Sequence, residues 1–79
     1  MYLPNKELDV VVLVHDLEPY GLKRGDVGAV VHRYDDGKTF EVEFVTGEGE
    51  TVAVVTLSEA DIRPMGRGEI LHVRELVIA

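Results

Sequence analysis

Three histidines, His15, His32 and His72, are the side chains of this 79-residue sequence best suited to metal or proton chemistry. No two of them stand at a ligand spacing such as HxxxH, and the chain has no cysteine to complete a site. His15 ends one Val-rich run and His32 lies in the next. If those runs pair, the two rings and Asp16 could gather around a divalent cation; the plainer reading is three separate surface imidazoles. Glu41 and Glu43 flank Val42, so an extended chain places both on one face about 7 Å apart, a separation that suits paired carboxylates. The opposite face carries Phe40, Val42 and Phe44, which makes the glutamates the wet side, where carboxylates do little catalysis. Ser58 is the sole serine, and it reads better as a turn cap than as a nucleophile. Gly47-x-Gly49 and Gly66-x-Gly68 precede no helix pattern and are not phosphate loops. No catalytic residue, metal-ligand set or cofactor site follows, and the sequence does not read as an enzyme.

Composition narrows the class further. Fifteen acidic against eight basic side chains give a formal net charge of −7, and the sequence pI is near 4.7. Nucleic-acid binders gain affinity by neutralising phosphates, and this balance repels a polyanion. Lys23 and Arg24, with Arg33, make the one local basic cluster, which reads as a solvated loop. A hydrophobic fraction of 46% excludes a disordered chain. The longest apolar run, Val10–Val14, is far short of the roughly 20 residues of a membrane span. The first residues lack the basic-then-apolar build of a secretion signal, so a cytoplasmic location is expected. A chain this short buries roughly 60% of its unfolded surface and holds one core, stabilised by packing, sheet or association.

The elements follow from alternation and turn residues. Strands are expected at 8–15, 27–34, 39–45 and 51–57, with a short closing one at 62–64. The 39–45 strand shows the cleanest period of two. Asp36-Gly37 between two β-rich runs signals a hairpin, and Gly47–Gly49 supplies the next turn. Residues 16–26 carry too many turn formers for a regular element and form a long first loop. Ser58–Asp61 offers one 3₁₀ or α turn before the last strand. The tail from Glu69 is apolar and β-branched, which favours an extra C-terminal strand behind the Gly66-Arg67-Gly68 joint. The expected fold is all-β: a small SH3-like five-stranded barrel over 1–65 with a single 3₁₀ turn before its last strand, and a tail over 66–79. Its expected core is Val10, Val12, Val14, Val27, Val30, Phe40, Val42, Phe44, Ala53, Val55, Leu57 and Ile62.

The run Leu22-Lys23-Arg24-Gly25-Asp26-Val27-Gly28-Ala29-Val30-Val31 matches a pattern that recurs in SH3-like barrels of unrelated function. Gly25-Asp26 would turn the chain into the strand, and Gly28 would allow a bend or bulge. With Asp9-Val10-Val11, Tyr34-Asp35-Asp36-Gly37, Phe40–Phe44, Ala53–Leu57 and Asp61-Ile62-Arg63-Pro64, the chain resembles the small bacterial and archaeal proteins of domain of unknown function 4926, over roughly 8–64. That family has no established activity. The resemblance implies a stand-alone small protein, in some members one half of a two-gene pair, and hence an antitoxin-like or partner-protein role.

What the residues themselves leave is binding. The first loop carries Leu17, Pro19, Tyr20 and Leu22, and Tyr34 stands at the hairpin; either these form a groove for an extended peptide, or the leucines tuck into the barrel end under Tyr20. The tail offers Leu71, Val73 and Leu76 for strand addition to its own barrel, to a twin chain or to another protein. The expected partner-binding set is therefore Tyr20, Tyr34, Leu71, Val73 and Leu76. The expected partner is one protein, basic if charge steers it; a homodimer exchanging its tails is the alternative, and a metal or small-ligand role for His15, His32 and Asp16 is a weaker one.

Overall fold

The computed structural model describes residues 9–66, 68–70 and 73–76. Five strands are joined by one long loop and three short turns: β1 (Val10–Leu13), β2 (Val27–Arg33), β3 (Thr39–Val45), β4 (Thr51–Ser58) and β5 (Ile62–Pro64). They form one antiparallel sheet in the order β4-β3-β2-β1-β5. The chain's first and last strands pair at one side of the sheet, with β5 outermost, Leu13 opposite Ile62 and Val11 opposite Pro64. Among the described residues no ladder joins β4 to β5, so the sheet is open rather than a closed barrel. Among the described residues no helix is long and apolar enough to cross a membrane.

Short local signals account for each turn. At the β2–β3 hairpin, Gly37 N–H donates to the Tyr34 carbonyl, and Gly37 alone adopts a positive φ of 71°. A two-residue type I′ turn would need positive φ at Asp36 too, so the Asp-Gly signal marks the hairpin but the loop is longer. The Asp36 carboxylate stitches it by accepting from the Lys38 and Thr39 N–H groups and the Thr39 hydroxyl. Gly49, at φ 87°, closes the β3–β4 turn.

One cluster underlies the whole sheet: Val11 and Leu13 from β1, Val30 from β2, Val42 and Phe44 from β3, Val55 and Leu57 from β4, and Leu22 from the first loop. Phe40, Ala53 and Ile62 pack against it half-buried. In β1, Val12 is buried as expected, but Val10 and Val14 are not, and Val11 and Leu13 are buried in their place. Val10 and Val14 are 44% and 37% exposed, whereas Leu13 is 1% exposed. Four valines and a leucine in a row give alternation nothing to grip, and the pairing with β2 and β5 sets the phase. Val27, also expected inside, is only half-buried.

Two local expectations are also corrected. The 3₁₀ turn is at Glu18–Tyr20, in the first loop, not before β5. There Leu17 and Leu22 exchange backbone bonds of 2.9 and 3.2 Å, Pro19 fixes φ, and Gly21 reverses the chain at φ 70°. Ser58–Asp61 is instead a simple turn: the Ser58 carbonyl accepts from Asp61 N–H, and the Asp61 carboxylate accepts from the Ser58 N–H and hydroxyl. Asp61 is thereby the cap as much as Ser58, and its carbonyl accepts from Val14 N–H, which leads straight into the β1–β5 ladder. Nor does Gly28 make a bulge; the register slips between Val30 and His32. Gly28 is buried, and a Cβ there would lie 2.6 Å from Val42 Cγ1 and 2.8 Å from Phe44 Cε1.

Candidate functional site

The first loop folds back on itself before β2. Leu22 is buried and Leu17 packs half-buried against the core, so the leucines do tuck under the sheet. Tyr20 beside them is 48% exposed. Residues 23–26 then make a turn in which Asp26 N–H donates to the Lys23 carbonyl and the Asp26 carboxylate accepts from Lys23 N–H at 2.8 Å. Gly25, at φ 94°, takes the left-handed position. Asp16 ties the far side by accepting from Arg24 N–H at 2.8 Å. Lys23 and Arg24 thus sit on an exposed loop bracketed by carboxylates.

The tail returns to this loop. Arg74 Nε donates to Asp26 Oδ1 at 2.8 Å and Nη2 to Asp26 Oδ2 at 2.5 Å, a bidentate fork, while Nη2 also donates to the Gly21 carbonyl at 3.0 Å. Both side chains are mostly covered, at 28% and 17% exposed. Partial burial pushes the Asp26 carboxyl up, but the Arg74 fork and the Lys23 N–H outweigh it and hold the group below its ordinary range. Beside this fork, Leu22, Val27, Phe44 and Val52 floor a cleft of about 450 Å³ that also touches Leu76. At the start of the tail a second fork runs from Arg63 Nη1 and Nη2 to Glu69 Oε1 and Oε2, at 2.7 and 2.5 Å. That pair and the Gly66 N–H hold the Glu69 carboxyl down to about 2. Between the two anchors Ile70 and Val73 are about nine-tenths exposed.

The tail is not an added strand among its described residues, 68–70 and 73–76. It reaches the first loop through the guanidinium of Arg74 instead of a backbone ladder. Of the expected partner-binding residues, Val73 and Leu76 line this cleft, Val73 at its exposed rim, and Tyr20 precedes the Gly21 whose carbonyl receives Arg74. Leu71 lies outside the described residues. Tyr34 does not join them: it follows β2 at the end opposite the first loop, donates its hydroxyl to Glu41, and meets the His32 ring edge-on at 4.7 Å. The sequence reading missed Asp26 and Arg74 as a pair. Asp26 looked like a turn former only, and the one signal was a single arginine in a tail rich in apolar residues.

The remaining candidates resolve into structural roles. β1 and β2 run antiparallel with Val12 opposite Val27, which puts His15 and His32 at opposite ends of the pair. No three His, Cys, Asp or Glu side chains gather into a metal cluster among the described residues. Glu41 accepts from the Tyr34 and Thr56 hydroxyls, which hold its carboxyl low, and Glu43 accepts from Thr51. Thus the two glutamates bind their own sheet.

His15 Nε2 lies 2.7 Å from Asp61 Oδ1 and Nδ1 lies 3.0 Å from the Asp16 carbonyl. Both partners accept, so the doubly protonated ring satisfies both, and the Asp61 bond foremost, then the Asp16 carbonyl, raises the His15 pKa above 6.5. A raised folded-state pKa means that this contribution is complete below the unfolded value of about 6.5 and disappears as pH rises through the folded one. The urea midpoint should therefore fall from pH 6 to pH 8, and the fall should shrink in His15→Ala. Equal pH slopes for the two proteins would show that the ring is not coupled to folding.

A second cleft, of about 510 Å³, opens at the other end of β2, where Val11, Val30, Phe40 and Ile62 form the floor and Asp9 and Arg33 pair at the rim.

Comparison with known proteins adds one relation. No curated protein and no solved structure matches the chain. Residues 7–64 match the family described as Domain of unknown function (DUF4926), which spans the whole sheet and the loop that carries Asp26. On that match, over most of its length, the chain is a member of the DUF4926 family.

Proposed function

We propose that this chain is a non-enzymatic interaction module, a half-closed SH3-like barrel that binds one basic partner protein through the surface made by its first loop and tail, in the manner of an antitoxin. Support for the barrel comes from the strand order and from the single cluster beneath all five strands, which a flat sheet could not share. The observation that carries the function is the Arg74 fork: this surface already holds an arginine-bearing extended segment, using the Asp26 carboxylate and the Gly21 carbonyl. A net charge of −7 draws a basic partner and speeds its capture. Ser58, Glu41 and Glu43, the candidates for chemistry, are each engaged in holding a turn or the sheet.

The test is capture from the native host with the tagged full chain, compared with a Tyr20→Ala/Asp26→Asn variant shown by far-ultraviolet dichroism to be folded at the assay temperature. One stoichiometric basic protein, retained by the first and lost by the second, is the expected result. Recovery of copies of the chain alone, or equal capture by both, would overturn the proposal.

A second reading, self-association by exchange of tails, has its own support. Arg74 meets Asp26 and Gly21 across 48 and 53 residues of sequence, beyond a Gly66–Gly68 joint, so the same contacts could be made on a twin chain. Sedimentation over a hundredfold range of concentration would then show a dimer that Arg74→Ala abolishes; a monomer throughout would dismiss it.

A further inference from the structure

We infer that the groove at Asp26 is a receptor for an extended Arg-x-Leu segment of the partner protein, and that the chain's own Val73–Leu76 occupies it as an internal competitor which the partner displaces. This rests on the interaction-module reading above and names the chemistry at the same surface.

Three features make the groove a receptor in its own right. The Asp26 carboxylate is fixed by the Lys23 N–H and by the turn it caps, contacts that do not involve the tail. The Gly21 carbonyl is likewise set by the left-handed turn behind the 3₁₀ segment. Together they present convergent acceptors for the forked donors of a guanidinium, a geometry that a lysine cannot satisfy. Asp16 adds negative charge that acts on the same arginine.

Other features show that the tail is a replaceable occupant. The apolar cleft beside the fork remains about 450 Å³ in volume with Leu76 against it, so an aliphatic or aromatic side chain two positions after the arginine has room that Leu76 leaves. The described tail residues belong to no strand, and Val73 is turned to solvent. Release therefore breaks the part-buried Arg74–Asp26 fork and the bond to the Gly21 carbonyl, and uncovers one half-buried leucine. A competing segment pays for this through its apparent affinity, which falls in proportion to the fraction of open groove. Removing the internal arginine should return that loss.

The experiment is a fluorescence-anisotropy titration of the full-length chain with a labelled peptide of the sequence of residues 69–79, in wild-type and Arg74→Ala forms. A second peptide carries alanine in place of the arginine. Arg74→Ala, folded at the assay temperature by far-ultraviolet dichroism, should bind the arginine peptide at least tenfold more tightly than wild type. The alanine peptide should bind it at least tenfold more weakly, and so should the arginine peptide when Asp26→Asn is added. Equal affinity of wild type and Arg74→Ala, or of the two peptides, would overturn the inference. So would a wild-type dimer that Arg74→Ala dissociates, since the tail would then be exchanged between copies. The two readings fail separately: a retained basic partner with no peptide binding removes the receptor groove alone, whereas peptide binding with no captured partner removes the proposed function and leaves the groove.

Discussion

Leu13→Ala should destabilise the domain by about 2–5 kcal/mol, the range for deleting a fully buried leucine side chain. Leu13 is 1% exposed and belongs to the central cluster. Its backbone also joins three parts of the fold: its N–H donates to the Asp26 carbonyl, its carbonyl accepts from Gly25 N–H, and it stands opposite Ile62 on β5. No neighbour can collapse into the space without disturbing that junction. A chain of this length has roughly 4–12 kcal/mol of stability in total, so the loss removes a large part of it. Thermal unfolding followed by far-ultraviolet dichroism should fall by on the order of 10–30 °C. Val14→Ala, one residue later on the exposed side, should stay within about 0.5 kcal/mol of wild type. If Val14→Ala proved the more damaging of the two, β1 would be seated in the opposite phase.

Gly28→Ala is the second large effect, and it arises from adding an atom. The new Cβ would approach Val42 Cγ1 at 2.6 Å and Phe44 Cε1 at 2.8 Å. Val42 is 0% and Phe44 2% exposed, so neither has open space to move into. Overpacking of this kind costs about 1–3 kcal/mol. An alanine also gains about 0.5–1 kcal/mol over glycine within a strand by restricting the unfolded chain, but the clash should exceed that gain. Urea unfolding should show a lowered midpoint at an unchanged slope. Phe44→Leu in the same chain should recover part of the loss, because it withdraws the ring edge from the new methyl group. A neutral or stabilising Gly28→Ala would mean that β2 and β3 can separate locally without cost.

The contrast between these two positions shows what the sequence could carry. Strands β2 to β5 were legible to within a residue because Thr39–Val45 alternates, and because Asp36-Gly37, Gly49 and Pro64 mark their ends. β1 was legible as a strand, and Val12 as core, but Val11 and Leu13 were not separable from Val10 and Val14, since Val10–Val14 offers no polar residue to point outward. Gly28 showed only that a side chain was unwelcome; whether the cause was a bulge or a crowding ring depended on Phe44, sixteen residues away in sequence. The candidate site was less legible still. Tyr20 and Leu76 could be nominated from exposure and apolarity, but the Asp26–Arg74 pairing joins residues 48 apart. Nothing local to either residue announces the other. Tyr34 was nominated by the same logic as Tyr20, and only the direction of β2 separates them.

The meeting of β1 with β5 also bears on how the molecule comes into being. Leu13 and Ile62 are neighbours in the sheet, yet nearly the whole intervening chain must be laid down before they can touch. The β2–β3–β4 meander closes through two short hairpins and can assemble from local contacts in microseconds. Closing the ends carries the loop-entropy cost of a long ring and places folding in the millisecond-to-second range of small β-rich domains. On a ribosome the growing chain would thus carry a finished meander and an unclosed edge until Pro64 had cleared the exit tunnel. In that interval β1 presents an open flank beside the same loop that later receives Arg74.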